Sequence, residues 1–174
     1  MLSYSLKIKR FIYSLLNCGF NTDYIARKYY KILNTDIKTL VTQDVIQIKK
    51  GVVLCGKVVN IYILSQRGKE MLLKNGRNLY KSDITQLEHD YVILNFYSKL
   101  PTEYQFSWRN ETELKSRYNS STTDGIFISD GKIVAVEVLT PSYTAEFIKE
   151  KMNFIDKYCD DSIILKTSDL SKFL

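Results

Sequence analysis

Asp124 and Glu137 are the two residues whose types and spacing most clearly permit chemistry. Asp124 precedes the β-rich run Gly125-Ile126-Phe127-Ile128-Ser129, and Glu137 lies near the end of Lys132-Ile133-Val134-Ala135-Val136-Glu137-Val138. Asp130-Gly131 between the runs predicts a tight hairpin. Its open end brings the two carboxylates to one side of a sheet. Such a pair can hold a divalent cation, which polarises a phosphate and lowers the pKa of bound water. A lysine nearby would stabilise the pentavalent charge. Glu137 in the middle of Ala-Val-Glu-Val needs a partner, either a lysine or a metal, because a buried strand rarely carries an unpaired carboxylate. Glu88, Glu111 and Glu113 are candidates for a third ligand, although each also reads as a helix cap or a solvated charge. His89 is the lone histidine, and a structural hydrogen bond is its expected role. Cys18, Cys55 and Cys159 are odd in number, far apart and without a C-x-x-C pair. They argue against a disulfide framework or a structural zinc site, and for a reducing, cytoplasmic setting.

The elements that must position these acids follow from periodicity. Thr85-Gln86-Leu87-Glu88 reads as a capping box, and Ile84, Leu87, Tyr91 and Leu94 recur at helical spacing up to Pro101. Tyr104, Phe106 and Trp108 alternate, which predicts a strand. Ser142 or Thr144 caps a helix with Ala145, Ile148, Met152 and Ile155 inward. Ser162 to Lys166 reads as a last strand.

The preceding part of the chain is different in charge. Residues 1–80 hold 14 Lys/Arg and 4 Asp/Glu, a net of +10. Residues 81–174 hold 11 and 15, a net of −4. A basic half attracts polyanions, of which nucleic acid is the commonest. Leu6, Ile8, Phe11, Ile12, Leu15 and Leu16 predict a helix ended by Gly19. Asn21 or Thr22 caps a second helix with Tyr24, Ile25 and Tyr29 on its apolar face. Asn34-Thr35-Asp36 opens a third, running from about Asp36 to Ile46 with Ile37, Leu40, Val41 and Val45 inward. Two β-branched runs with glycines at 51 and 56 follow, then a helix capped by Ser65 and ended by Gly76. Helices, ribbon and closing helix are the parts of a winged helix-turn-helix, whose second helix enters the major groove. Thr42 and Gln43 are placed to read base edges and Lys38 to hold phosphate. Lys49, Lys50 and Lys57 lie on the wing, and Arg27, Lys28 and Lys31 add cations on the helix before.

In this order, helix, strand, Thr123-Asp124, hairpin, Glu137-Val138-Leu139 and helix, the C-terminal part resembles the PD-(D/E)XK restriction-endonuclease-like core. Nearly the whole chain resembles the plasmid replication-relaxation protein family, which joins an N-terminal winged helix to a nuclease-like domain. The residues that carry this likeness are Ile61 to Gly68, His89, Trp108, Asp124-Gly125, Val136-Glu137-Val138 and the basic helix after them. The resemblance implies an α+β fold. A winged helix-turn-helix domain would span 1–78, and a small restriction-endonuclease-like α/β domain with a mixed sheet would span 79–174. Two departures stand out. Thr123 replaces the proline of the nuclease motif, and Leu139 stands where the motif has its lysine. Lys151 or Lys149 on the next helix can replace it, although beside Glu146 and Glu150 both read as ordinary surface lysines.

The function expected is a DNA-binding protein of a plasmid or other mobile element, acting in replication, relaxation or conjugative transfer, with a degenerate nuclease-like half. The alternative is a metal-dependent DNA endonuclease using Asp124, Glu137 and Lys151 with Mg2+ or Mn2+. Double-stranded DNA is the expected partner, with a replication or transfer protein and a second copy of the chain as further ones. A pure protein-interaction module leaves the basic half without an acidic partner. A membrane span is not expected, because no run approaches the ~20 apolar residues it needs. The opening Met1 to Lys7 also lacks a secretory h-region and cleavage site.

Overall fold

A computed structural model describes residues 4–73, 78–82, 84–118 and 120–172 of the 174-residue chain. The fold is mixed α+β. Among the described residues no helix is long and apolar enough to cross a membrane.

The N-terminal part runs α1 (Leu6–Cys18), β1 (Asn21–Thr22), α2 (Asp23–Tyr30), α3 (Asn34–Thr42), β2 (Ile46–Leu54), β3 (Lys57–Leu64) and α4 (Gln66–Leu73). Short polar side chains start these helices by satisfying free N–H groups. Thr22 Oγ1 accepts from Ile25 N, Asp36 Oδ2 accepts from Leu33 N and Ser65 Oγ accepts from Gly68 N. The three strands form an antiparallel sheet in the order β1-β3-β2, with a bulge in β2 between Lys49 and Val52.

The third helix is shorter than its periodicity predicts. It ends at Thr42, Asp44 takes a left-handed φ of 51° and β2 begins at Ile46. Val41 therefore does not face inward; it is 40% exposed, while Ile37 and Leu40 are buried and Val45 is buried beyond the helix. On α2 the buried residues are Ile25, Ala26 and Tyr30, and Tyr24 is exposed. The helix stop expected at Gly76 lies outside the described residues.

The C-terminal part begins with a 3-10 turn at Ile84–Gln86. It continues as α5 (Leu87–Lys99), α6 (Thr102–Ser107), β4 (Arg109–Asn110), α7 (Glu111–Tyr118), β5 (Gly125–Ser129), β6 (Lys132–Leu139), α8 (Ala145–Tyr158) and β7 (Asp161–Lys166). A 3-10 segment, Thr167–Lys172, follows. The sheet order is β4-β5-β6-β7, antiparallel except for the parallel β6–β7 pair that α8 connects. Asp130 and Gly131 have φ of 50° and 80°, the left-handed pair that a two-residue hairpin turn requires. Thr144, not Ser142, caps α8 by accepting from Phe147 N.

Two expectations fail here for tertiary reasons. The regular part of α5 starts at Leu87, so Thr85 lies in the preceding 3-10 turn rather than at a capping box. The alternating Tyr104, Phe106 and Trp108 are not a strand; α6 covers the first two and Trp108 follows it. A helical turn there lets Gln105 Nε2 donate to the carbonyls of Tyr97, Ser98 and Leu100 at the end of α5.

One buried cluster runs through both parts, from Phe11, Leu15 and Leu16 on α1 across Tyr91, Leu94 and Tyr97 on α5 to Val136 and Val138 on β6. A polar seam accompanies it: Asn17 Nδ2 donates to Tyr97 Oη at 3.1 Å, and Tyr30 Oη meets Ser98 Oγ at 3.0 Å. Trp108 is wholly buried, stacks on Phe127 at 6.2 Å and meets Tyr97 edge-on at 5.3 Å. Its indole lies against Gly125, where any Cβ would overlap the ring. Gly125→Ala is expected to cost about 1–3 kcal/mol in urea unfolding, the usual penalty for overpacking. A loss near zero would show that Trp108 can move aside.

Candidate functional site

The hairpin register creates the site. Gly125 pairs with Val136, so Asp124 and Glu137 sit side by side just beyond that pair. Each strand's backbone holds the other's acid. Asp124 N donates to Glu137 Oε2 at 3.2 Å, and Val138 N donates to Asp124 Oδ2 at 2.7 Å. Thr123 Oγ1 donates to the Val136 carbonyl, which fixes the chain entering β5. Both acids are buried, Asp124 at 2% exposure and Glu137 at 0%.

The cation comes from α8. Lys151 is 2% exposed, and its Nζ lies 2.8 Å from Glu137 Oε1, 3.2 Å from Asp124 Oδ1 and 3.6 Å from Glu111 Oε1. The surface reading of Lys151 is therefore wrong; Lys149 is the exposed one. The reason is helical phase. Lys151 falls three or four residues from Phe147, Ile148, Phe154 and Ile155, within the helix's apolar stripe, and a lysine at such a position signals a buried partner. The Nζ also lies over the rings of Phe147 and Tyr143, at 5.3 Å and 5.9 Å.

His89, read from the sequence as structural, closes the cluster from the first turn of α5. It is 4% exposed, with Nε2 3.2 Å from Asp124 Oδ2 and Nδ1 3.2 Å from Asp90 Oδ1. Tyr143 Oη approaches Nε2 at 3.5 Å, and Tyr80 Oη donates to Asp90 Oδ1 at 2.7 Å. The sequence signal for this role was the His89-Asp90 pair on the inner face of α5. Glu111 pairs with Lys115 as well as facing Lys151, Glu113 is held by Arg109 and Arg117, and Glu88 is exposed.

These contacts set the charges. Burial pulls the His89 imidazole down, but bonding to Asp124 and Asp90 outweighs it and raises the pKa to about 10. Burial pushes Asp124 up, and His89 and Lys151 more than offset this, holding it below the ordinary carboxylate value. Burial and the Asp124 charge push Glu137 above the ordinary carboxylate value, against Lys151. Burial lowers the Lys151 pKa, and the carboxylates Asp124, Glu137 and Glu111 raise it further than that.

The Mg2+ or Mn2+ implied by the nuclease resemblance does not fit this arrangement. Each of the four oxygens of Asp124 and Glu137 already faces a protein donor: Lys151, His89 or a backbone N–H. With Lys151 in place, no group of three His, Cys, Asp or Glu side chains among the described residues is disposed to hold a metal. Beside the cluster opens a cavity of about 360 Å³, lined by Glu88, His89, Thr140, Ser142 and Tyr143, with Val53 of β2 on its wall.

The residues proposed to contact DNA form a separate set. Lys38 and Thr42 lie one turn apart on α3 and are exposed. Gln43 is half-buried, with Oε1 accepting from Tyr4 Oη at 2.8 Å. Lys49 and Lys50 flank the bulge of β2 and, like Lys57 and Lys31, are exposed. Arg27 is bound to Asp23 at 2.7 Å and Asn34 at 2.6 Å, and Lys28 rests over Tyr24. The tip of the β2–β3 ribbon is not free: Leu54 is buried, and Leu54, Lys57 and Tyr91 of α5 line a common cavity of about 370 Å³.

No family model, no curated protein and no solved structure matches this chain.

A pH titration checks the charges. Groups whose pKa is raised on folding stabilise fully below their unfolded value and lose that contribution as pH rises through the folded one. For His89 the window runs from 6.5 to about 10, and Glu137, also raised, acts in the same direction. Unfolding free energy should fall from neutral pH to pH 10 by roughly 2–4 kcal/mol more in the wild type than in His89→Gln. Parallel curves for the two proteins would refute a charged, carboxylate-bound His89.

Proposed function

We propose that this chain is a DNA-binding protein of a plasmid or other mobile element, acting in replication, relaxation or conjugative transfer. In this reading the N-terminal part is a winged helix-turn-helix and the C-terminal part is a nuclease-like module that does not cut. The order α1-β1-α2-α3-β2-β3 with strands arranged β1-β3-β2 is consistent with that winged arrangement. The observation that carries the proposal is the exposed pair Lys38 and Thr42 on the outer side of α3, the second helix of the α2–α3 pair, in a half with a net charge of +10. A recognition helix needs side chains free to reach base edges and phosphates. The replicon role and a replication or transfer partner follow from the resemblance, and a cytoplasmic setting follows from the three widely spaced cysteines.

One observation favours the alternative, a DNA endonuclease. Lys151 supplies from α8 the positive charge that Leu139 removes from the strand. The arrangement of the C-terminal elements, with the acids at the open end of a hairpin and α8 leading to a parallel strand, is compatible with either reading.

Two measurements separate them. In the binding reading, affinity for a duplex falls steeply with salt, and Lys38→Ala or Lys49→Ala weakens binding to all sequences while reducing the log–log salt slope by about 1 each. Unchanged slopes in both variants would remove the proposed contact surface. Supercoiled plasmid incubated with Mg2+ or Mn2+ should stay intact. Nicking that disappears in both Asp124→Asn and Glu137→Gln would establish the endonuclease instead.

A further inference from the structure

We infer that the Asp124–Glu137 centre is closed by the chain's own cations: the Lys151 ammonium occupies the place a divalent ion would take, and its removal creates a metal site the wild type lacks. This inference stands whether or not the N-terminal part binds DNA. It concerns what the buried centre accepts.

The argument starts from the surroundings of Lys151 Nζ. Three carboxylates from three elements face it: Glu137 on β6 at 2.8 Å, Asp124 before β5 at 3.2 Å and Glu111 on α7 at 3.6 Å. Convergence of acidic oxygens on one point is what a hard divalent cation requires. Here an ammonium is already at that point. An ion bonded to both Asp124 Oδ1 and Glu137 Oε1 would sit within about 5 Å of that ammonium, where like charges repel strongly in a buried setting.

The remaining oxygens are also committed. Asp124 Oδ2 is shared by His89 Nε2 and Val138 N, and Glu137 Oε2 accepts from Asp124 N. A metal would have to displace these donors and leave them buried without acceptors, which is costly. Lys151 cannot withdraw cheaply either. Its own position on α8 is within the apolar stripe, beside buried Phe154 and Ile155. An ammonium moved there would be unpaired.

The cluster thus does structural work of the kind a metal does. Lys151 and His89 tie α5, α7, the entrance to β5, β6 and α8 together through ion pairs. Truncating the lysine to alanine removes the competing cation and leaves Asp124, Glu137 and Glu111 around vacated space.

Titration of the full chain with Mn2+, followed by electron paramagnetic resonance of the free ion, tests this. The wild type should take up no stoichiometric ion up to about 1 mM, a weak-site concentration for carboxylate ligands. Lys151→Ala should bind one ion per chain at least tenfold more tightly, and Lys151→Ala with Asp124→Asn should lose it. Lys151→Met, closer in volume, serves as a second variant, and circular dichroism establishes which are folded. One tight ion in the wild type, lost in Asp124→Asn, would overturn the inference. So would folded lysine variants that bind no better than the wild type. If neither lysine variant folds, the wild-type titration decides alone: a stoichiometric ion overturns the inference and its absence upholds it.

Discussion

The ion pair between Lys151 and the two hairpin acids is the interaction on which the C-terminal architecture depends. Asp90, Asp124 and Glu137 are buried with Lys151 and His89, none more than 4% exposed. Burying any one of these charges alone would cost several kcal/mol. Their joint burial is tolerable only because the backbone places them in mutual contact. That requirement fixes the hairpin register, since a slip of one residue would turn Glu137 to the opposite face. It also fixes the rotation of α8 about its axis and the approach of the first turn of α5.

Helix α5 links this centre to the basic part of the chain. Its first turn supplies His89 and Asp90, its middle supplies Tyr91 against the tip of the β2–β3 ribbon, and its last turns supply Tyr97 and Ser98 to the seam with α1 and α2. Val53 of the ribbon borders the cavity that opens beside His89. Leu54, beside the ribbon's turn, is buried. Lys49 and Lys50, at the bulge, are the ribbon cations farthest in sequence from that turn, and they are exposed.

Local chemistry was legible in the sequence, and tertiary chemistry was less so. Asp130-Gly131 announces its hairpin because left-handed φ at both turn positions is a property of those residues themselves. Thr22, Ser65 and Thr144 announce helix starts for the same reason: each bond is made within three residues. The convergence of Asp124 and Glu137 follows once the hairpin is known. Lys151 was misread because Glu146 and Glu150 suggested a solvated face, whereas the phase of Phe147, Ile148, Phe154 and Ile155 placed it inward. The segment Tyr104 to Trp108 alternates as a strand would, yet Gln105 gains three carbonyl acceptors only if the chain turns. Those acceptors belong to another element, so no local pattern revealed them.

Burial also changes what the charge division means for a polyanion. Among the described residues, four of the acids that make residues 81–174 negative, Asp90, Glu113, Asp124 and Glu137, are buried, as is one base, Lys151. Setting these five aside, together with the Arg109 and Arg117 that hold Glu113, leaves 8 Lys/Arg and 11 Asp/Glu in that half, still negative. All four acids are bound to cations within the protein, which weakens the field they send into solvent. The basic half carries its excess differently: Lys31, Lys38, Lys49, Lys50 and Lys57 are exposed. A duplex approaching the chain would therefore meet one attractive part and one weakly repulsive part. Electrostatic steering then depends on the lysines of the first eighty residues.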